Sequence, residues 1–347
     1  MPFRSALEDS VDVAHALSVG ETLMASMHDE GVPSAYLYGA SLRGAARVLG
    51  HWQRRASVLG KADDAALAHV FRRRTGGPAV FAGEGVVYAA LALRHASVLM
   101  DCPADRVLNR NVRGFLGALS ECGTPAHYFG REWLSVHRQP VAAVGWARGA
   151  DGSVLVEAFI GVSRSPFVSE SWPRAAARKE EAMLGKTPAT LAVAADRAIE
   201  DREVLEWLTK GFALRYEHEP PTEGALDAAI RERAKLTANE KKLDRRSHLD
   251  PDMHWSSARE IPIGFLEAGL GRNDVGIVTR ASLAGDFFAD DAADKALAER
   301  LVGHPPSTER FASAINGVFD GHAHILEGLK SLQPVLDAFV ELATAPR

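Results

Sequence analysis

Arg72-Arg73-Arg74-Thr75-Gly76-Gly77-Pro78-Ala79-Val80-Phe81 sets three guanidinium groups before a glycine pair and then passes into β-forming residues. Glycine lets backbone N–H groups approach an anion closely, and arginine offers a rigid fork for phosphate or carboxylate oxygens. An arginine-rich stretch before a glycine turn can equally be a solvated strand end, so the surrounding pattern has to decide. Downstream, Val86, Val87, Tyr88 and Leu91 continue the β pattern with glycines between, as in strands joined by tight turns. Further on, 141–147 and 154–162 predict a hairpin around Gly149-Ala150-Asp151-Gly152. Two consecutive, nearly all-apolar strands imply a sheet buried on both faces.

Upstream of the arginines, Val13, Leu17, Leu23 and Met24 fall at helical spacing within 11–27, and Gly31-Val32-Pro33 stops the helix. Strand-like runs follow at 34–38 and 46–49. A second helix is predicted over 105–121, with Asp105 as N-cap, Leu108, Val112, Phe115, Leu116 and Leu119 as its stripe, and Gly123 as its stop. From 172 to 253 the texture is helical and charged, and Thr237-Ala238-Asn239-Glu240 is a capping-box sequence that predicts a helix start. A domain boundary is expected around 251–255. Beyond it, strands at 261–266 and 276–288 and helices at 291–302, 307–319 and 322–342 make a small α+β unit.

Composition narrows the classes of function. The 347 residues suit one large or two ordinary domains, with 46% hydrophobic and 24% charged residues, the balance of a folded protein. A net charge of -5 and scattered basic residues predict no nucleic-acid partner. Two cysteines cannot build a disulfide framework or a four-ligand zinc site, so no metal centre is expected. Residues 1–12 are acidic without an apolar core and no run reaches the length of a membrane helix, which predicts a cytoplasmic protein with no membrane contact.

The order of these blocks resembles that of the lipoate–protein ligases, across roughly residues 10 to 320. The Arg72–Phe81 segment resembles the family signature of two arginines, a hydroxyl residue and a glycine run entering a strand. Arg47-Val48-Leu49-Gly50-His51-Trp52-Gln53 resembles its glycine-glutamine strand end, and Gly130-Arg131-Glu132-Trp133-Leu134 its Gly-Arg-Asn-Asp-Leu. Gly285-Asp286-Phe287-Phe288 resembles its C-terminal accessory domain. The resemblance implies an α/β (α+β) chain of the biotin/lipoate ligase type, a mixed sheet flanked by helices. Residues 1–250 would form the ligase-like catalytic domain and 251–347 the small α+β accessory domain. It further implies ATP and magnesium, an acyl-adenylate of lipoate or another medium-chain acid, and transfer to a lysine on a lipoyl carrier domain or another acyl-acceptor protein. Arg72, Arg73, Gly76, Gly77, Ala79, Val80 and Lys186 would then contact the nucleotide or acyl group. The apolar strands 141–144 and 154–156 would form an acyl tunnel.

Departures from the family pattern bear on chemistry. Pro140 stands where the family has its catalytic lysine, and proline has neither charge nor N–H to offer an adenylate. His137 and Arg138 lie nearby, and Arg138 is the better-placed substitute if the strand shifts. Pro78 replaces a glycine, Ala82-Gly83-Glu84-Gly85-Val86 replaces the family's His-Asp-x-Gly-Asn, and Glu157-Ala158 replaces its His-Gly.

Cys122 suggests a nucleophile with His127 as its base, since some transferases of this superfamily use a cysteine here. Against that, a helix C-terminus disfavours a thiolate. His322 with His324, and Asp252 with His254, have two-residue spacing but no close third ligand, and Lys179, Glu180 and Glu181 read as a solvated face. Three functions follow: first a ligase or acyltransferase with a divergent pocket, then a non-catalytic homologue that binds a lipoylated domain, a fatty acid or a partner subunit, and third an acyltransferase that uses Cys122.

Overall fold

An eight-stranded sheet carries the fold, in a computed structural model that describes residues 3–59, 69–167, 187–216, 221–243, 253–320 and 324–344. Its strands are β1 (Phe3–Asp12), β2 (Ala35–Arg43), β6 (Val86–Leu93), β7 (Ala126–Tyr128), β8 (Trp133–Val136), β9 (Gln139–Arg148), β10 (Val154–Gly161) and β11 (Thr222–Glu223). Their order is β11-β1-β2-β6-β10-β9-β8-β7. β1 runs parallel to β2 and β11, and the remaining neighbours are antiparallel. A three-stranded sheet of β3 (Ala45–Leu49), β4 (Val70–Arg72) and β5 (Val80–Gly83) stands beside it, with β3 in the middle.

Alternation along the strands divides the interior in two. Val87, Ala89, Leu91, Val154, Val156 and Ile160 face one cluster, whereas Tyr88, Ala90, Leu155 and Phe159 face the other. Helices α2 (Arg113–Ser120) and α3 (Asp201–Arg215) cover the first face, where Phe115 and Phe212 meet edge to face at 5.0 Å. Helices α1 (Val13–Ala25) and α4 (Ala228–Leu243) cover the second. α1 begins where Asp12 accepts a bond from the Ala14 amide at 3.0 Å. Burying side chains as large as Leu91 or Phe115 contributes about 1.5–3 kcal/mol each, which offsets the ordering of both layers.

The hairpin forms as expected, closed by Asp151, which accepts from the Ser153 amide at 3.0 Å and its hydroxyl at 2.7 Å. Four expectations need correction. The strand expected over 261–266 is interrupted by a turn at 262–263, between one strand ending at Ile261 and another starting at Gly264. The helix expected over 105–121 is broken into a 3-10 turn (Ala104–Arg106), a short helix (Val107–Asn111) and α2, and Asp105 makes no cap. Thr237 starts nothing. α4 runs through it, because Leu226, Ile230, Ala234 and Ala238 give the segment one continuous buried face. The third C-terminal helix begins at Gln333 instead of 322.

The C-terminal unit is a second antiparallel sheet, β12 (His254–Trp255), β13 (Arg259–Ile261), β14 (Gly264–Arg272) and β15 (Val278–Gly285). The pair β16 (Phe288–Ala289) and β17 (Leu326–Glu327) and helices α5 (Asp291–Leu301), α6 (Thr308–Phe319) and α7 (Gln333–Thr344) complete it. The expected boundary at 250/251 lies outside the described residues. The apolar cluster of the first sheet face continues into this unit, where Trp52 stacks on Phe287 at 5.7 Å. Among the described residues, no helix is long and apolar enough to cross a membrane.

Candidate functional site

The arginine-glycine loop joins β4 to β5 and lies against β9. β8 pairs with β9 only as far as Ala143, and beyond it the carbonyl of Trp146 receives the Gly76 amide at 3.2 Å. The next amide, Gly77, donates to the carbonyl of Phe287 in the C-terminal unit at 3.1 Å. Both positions require glycine. A Cβ on Gly76 would lie 2.4 Å from the Phe287 carbonyl oxygen, and Gly77 has φ +92. The two amides expected to meet an anion are therefore bonded within the protein.

Arg73 is buried and turned back onto its own loop. Its Nε donates to the carbonyls of Thr75 at 3.3 Å and Gly76 at 3.2 Å, and one terminal nitrogen donates to those of Gly76 at 2.7 Å and Pro78 at 3.0 Å. The other terminal nitrogen, Nη1, has no hydrogen-bond partner. Burial pulls this guanidinium down to about 10, and the Glu157 carboxylate counters that pull, so it remains a cation at neutral pH. Its plane lies 5.4 Å from the Phe159 ring.

Glu157, fully buried in β10, closes the inner side of the loop. It accepts from the Thr75 amide at 3.2 Å, from the Thr75 hydroxyl in a short contact, and from the Tyr88 hydroxyl at 2.6 Å. Burial, and then the neighbouring Glu157 charge, hold the Tyr88 phenol well above its ordinary range. The Tyr88 ring meets Tyr38 at 6.3 Å, and the Tyr38 hydroxyl donates to Glu8 at 2.8 Å, which Arg231 of α4 bridges at 2.8 Å. A polar line thus crosses the second sheet face from Arg73 to Arg231. Its one advance sign in the sequence was Glu157 standing where the related family has another residue.

The C-terminal unit meets the arginines around this loop with acids. Arg74 pairs with Asp291 in a short contact, Arg148 with Asp290 at 3.0 Å, and Arg54 with Glu267 at 3.3 Å. Gln53 bonds the Gly50 amide at 2.8 Å and Asp286 at 2.5 Å, so the glycine-glutamine motif anchors the joint between the units. Arg72 holds the carbonyls of Gly50, His51 and Gln53 at 2.8, 3.0 and 2.6 Å. Ala79 and Val80 are buried at the start of β5. Neither glycine amide is open to a nucleotide here, and the carboxylate of Glu157 lies directly behind them. The loop as it stands does not fit the phosphates of ATP.

The other candidates are scattered. His137 and Arg138, with φ 47 and 65, form the tight turn between β8 and β9, and Arg138 is exposed there. Pro140 lies in β9 opposite Ser135, six positions from Trp146, which at about 3.3 Å per residue is roughly 20 Å along the strand. The Cys122 thiol points to the Thr124 carbonyl at 3.7 Å, and no imidazole nitrogen of a described residue reaches it. His127 is exposed on the edge strand β7, its ring 6.0 Å from Phe129. His324 bonds Asp290 at 3.1 Å, and His254 is exposed. Among the described residues no group of three or more histidine, cysteine or acidic side chains could hold a metal ion. Lys179, Glu180, Glu181, Lys186, Asp252 and His322 lie outside the described residues. Val141, Val144, Val154 and Val156, expected to line a tunnel, are core residues of the first sheet face.

No family model matches the chain, and no curated protein does. Solved structures do match. P. falciparum LipL1 in complex with lipoate aligns with a TM-score of 0.64 at 14% identity, over 98% of this chain and 98% of that one. The bipartite lipoate protein ligase of Thermoplasma acidophilum, described with its E2 lipoyl domain, aligns at 0.55 and 15% identity, over 72% of this chain and 100% of that one. Lipoate-protein ligase A bound with ATP aligns at 0.54 and 16% identity, over 71% and 97%. The chain has the lipoate ligase fold, a large mixed sheet flanked by helices.

Proposed function

We propose that this protein is a binding partner of acyl-carrying domains, built on the lipoate ligase fold, and that it makes no acyl-adenylate itself. The observation that carries this reading is the bonding of Gly76 and Gly77 to the carbonyls of Trp146 and Phe287. An adenylate phosphate at this loop needs free amides, and breaking two buried hydrogen bonds to supply them is unfavourable. Proline at position 140 and the carboxylate of Glu157 point the same way, because neither stabilises a phosphoryl group and Glu157 repels one. A lipoyl domain is the partner class because the T. acidophilum neighbour is described with one.

Two measurements test the proposal. Pyrophosphate exchange with lipoate or octanoate, ATP and magnesium is expected to show no turnover, and calorimetry is expected to show binding of a lipoyl carrier domain. Exchange that disappears in Arg73→Ala overturns the non-adenylating part, and a carrier domain that does not bind overturns the choice of partner.

One observation favours the second reading, a ligase or acyltransferase with a divergent pocket. Arg73 Nη1 is buried without a partner and still has N–H groups to offer an anion. In that version the C-terminal unit withdraws, Gly76 and Gly77 are uncovered, and lipoate or another medium-chain acid is activated with ATP and magnesium. Arg72 and Lys186 would assist. The exchange assay separates the two versions.

A further inference from the structure

Trp146 holds both sides of the joint between the units. Its carbonyl takes the Gly76 amide at 3.2 Å, while its indole Nε1 donates across the joint to Glu327 of β17 at 2.9 Å. Among the described residues that indole is the only hydrogen-bond donor to the Glu327 carboxyl, and no cation pairs with it. The groups around it do not neutralise it. From the turn before α2, Asp105 and Arg106 face it but pair with each other at 3.4 Å, both well exposed. Cys102 of the same segment and Tyr128 of β7 are neutral there, the thiol pushed up to about 11 by burial and the phenol raised by burial and by Glu327 and Glu132. Glu132, the other acid beside Tyr128, is bonded to Arg131 at 3.1 Å and is itself pushed up to about 7 by burial, so it titrates in the same range. Across the β16–β17 pair, Glu327 lies opposite Phe288, whose ring packs on Gly76 and Gly77.

We propose that the joint is tightened by a proton: the Glu327 carboxyl, clasped by the Trp146 indole, takes up H⁺ from solvent as the C-terminal unit closes over the Gly76-Gly77 loop, and releases it on opening. Only an O–H bond forms or breaks. Closing takes a lone carboxyl out of most of its water, Glu327 being half-buried in the closed joint, and the neutral acid lowers that cost. In the closed joint burial pushes Glu327 up to about 7, against the pull of the indole hydrogen bond, while a solvated glutamate titrates near 4.5. The closed state therefore binds the proton more tightly. The Glu327 proton by itself strengthens closure by about tenfold per pH unit as the pH falls from 7 towards 4.5, and adds nothing above 7.

Hydrogen exchange on the full chain between about pH 5 and 8, corrected for intrinsic rates, tests this. It reads closure directly, so it is informative whether or not a carrier domain binds. Protection of peptides covering the glycine loop and β16 is expected to rise about tenfold per unit below pH 7 and to stay level above it. Peptides from β6 should not follow. Glu327→Gln, which keeps an acceptor for the indole, is expected to lower the slope to whatever Glu132 contributes. An equal slope in Glu327→Gln, or none in the unaltered protein, overturns the proposal. If Glu327→Gln does not fold, Trp146→Phe gives the second reading. The ionised carboxyl then loses its donor and the onset of tightening should move above pH 7, and an unmoved onset overturns the proposal equally.

Discussion

The two faces of the large sheet solve the problem of burial differently. The face under α2 and α3 is filled by the apolar side chains of Val87, Leu91, Val154, Val156 and Ile160 against Phe115 and Phe212. The face under α1 and α4 has the same alternation but includes Glu157, Tyr88, Tyr38 and, at its margin, Glu8 and Arg231. An apolar face loses only packing when one side chain is trimmed. A polar face loses the partners of several buried groups at once. The glycine loop rests on the polar face, so its conformation depends on that network.

The contrast gives an ordered set of expectations. Glu157→Ala strips the acceptor from the Thr75 amide, the Thr75 hydroxyl and Tyr88, and leaves Arg73 without its counter-charge. It should cost about 3–5 kcal/mol in urea unfolding. A loss below about 1 kcal/mol would mean the network contributes little. On the apolar face Ile160→Val removes one methylene from a fully buried side chain, and about 0.5–1.5 kcal/mol is expected by the same measurement. Arg231→Ala, at the solvent end of the polar line, removes a bridge whose arginine side chain is 41% exposed, and should cost about 1 kcal/mol or less. A large effect there would show that the network is coupled from end to end.

Much of this was legible before any coordinates. The apolar runs of β9 and β10, the turn between them, the first helix and the helices α5 and α6 could be read because local pattern decides them. The break at Val112 and the continuous α4 could not. Phe212 packs against Gly114 just after the first, and the second rests on the face that α4 presents to α1; both contacts come from distant parts of the chain. In the site, the loop's position between two strands was readable, and the direction of Arg73 was not. An arginine followed by glycines is compatible with gripping a ligand or gripping its own carbonyls. Glu157 was visible only as a residue standing where the related family has another.

The sequence alone determined the alternation that builds the sheet and the chemical identity of the loop, because period and composition act between near neighbours. Tertiary structure decided whether that loop is open. The carbonyls of Trp146 and Phe287 come from distant parts of the chain, and a backbone amide takes whichever acceptor the folded protein places before it.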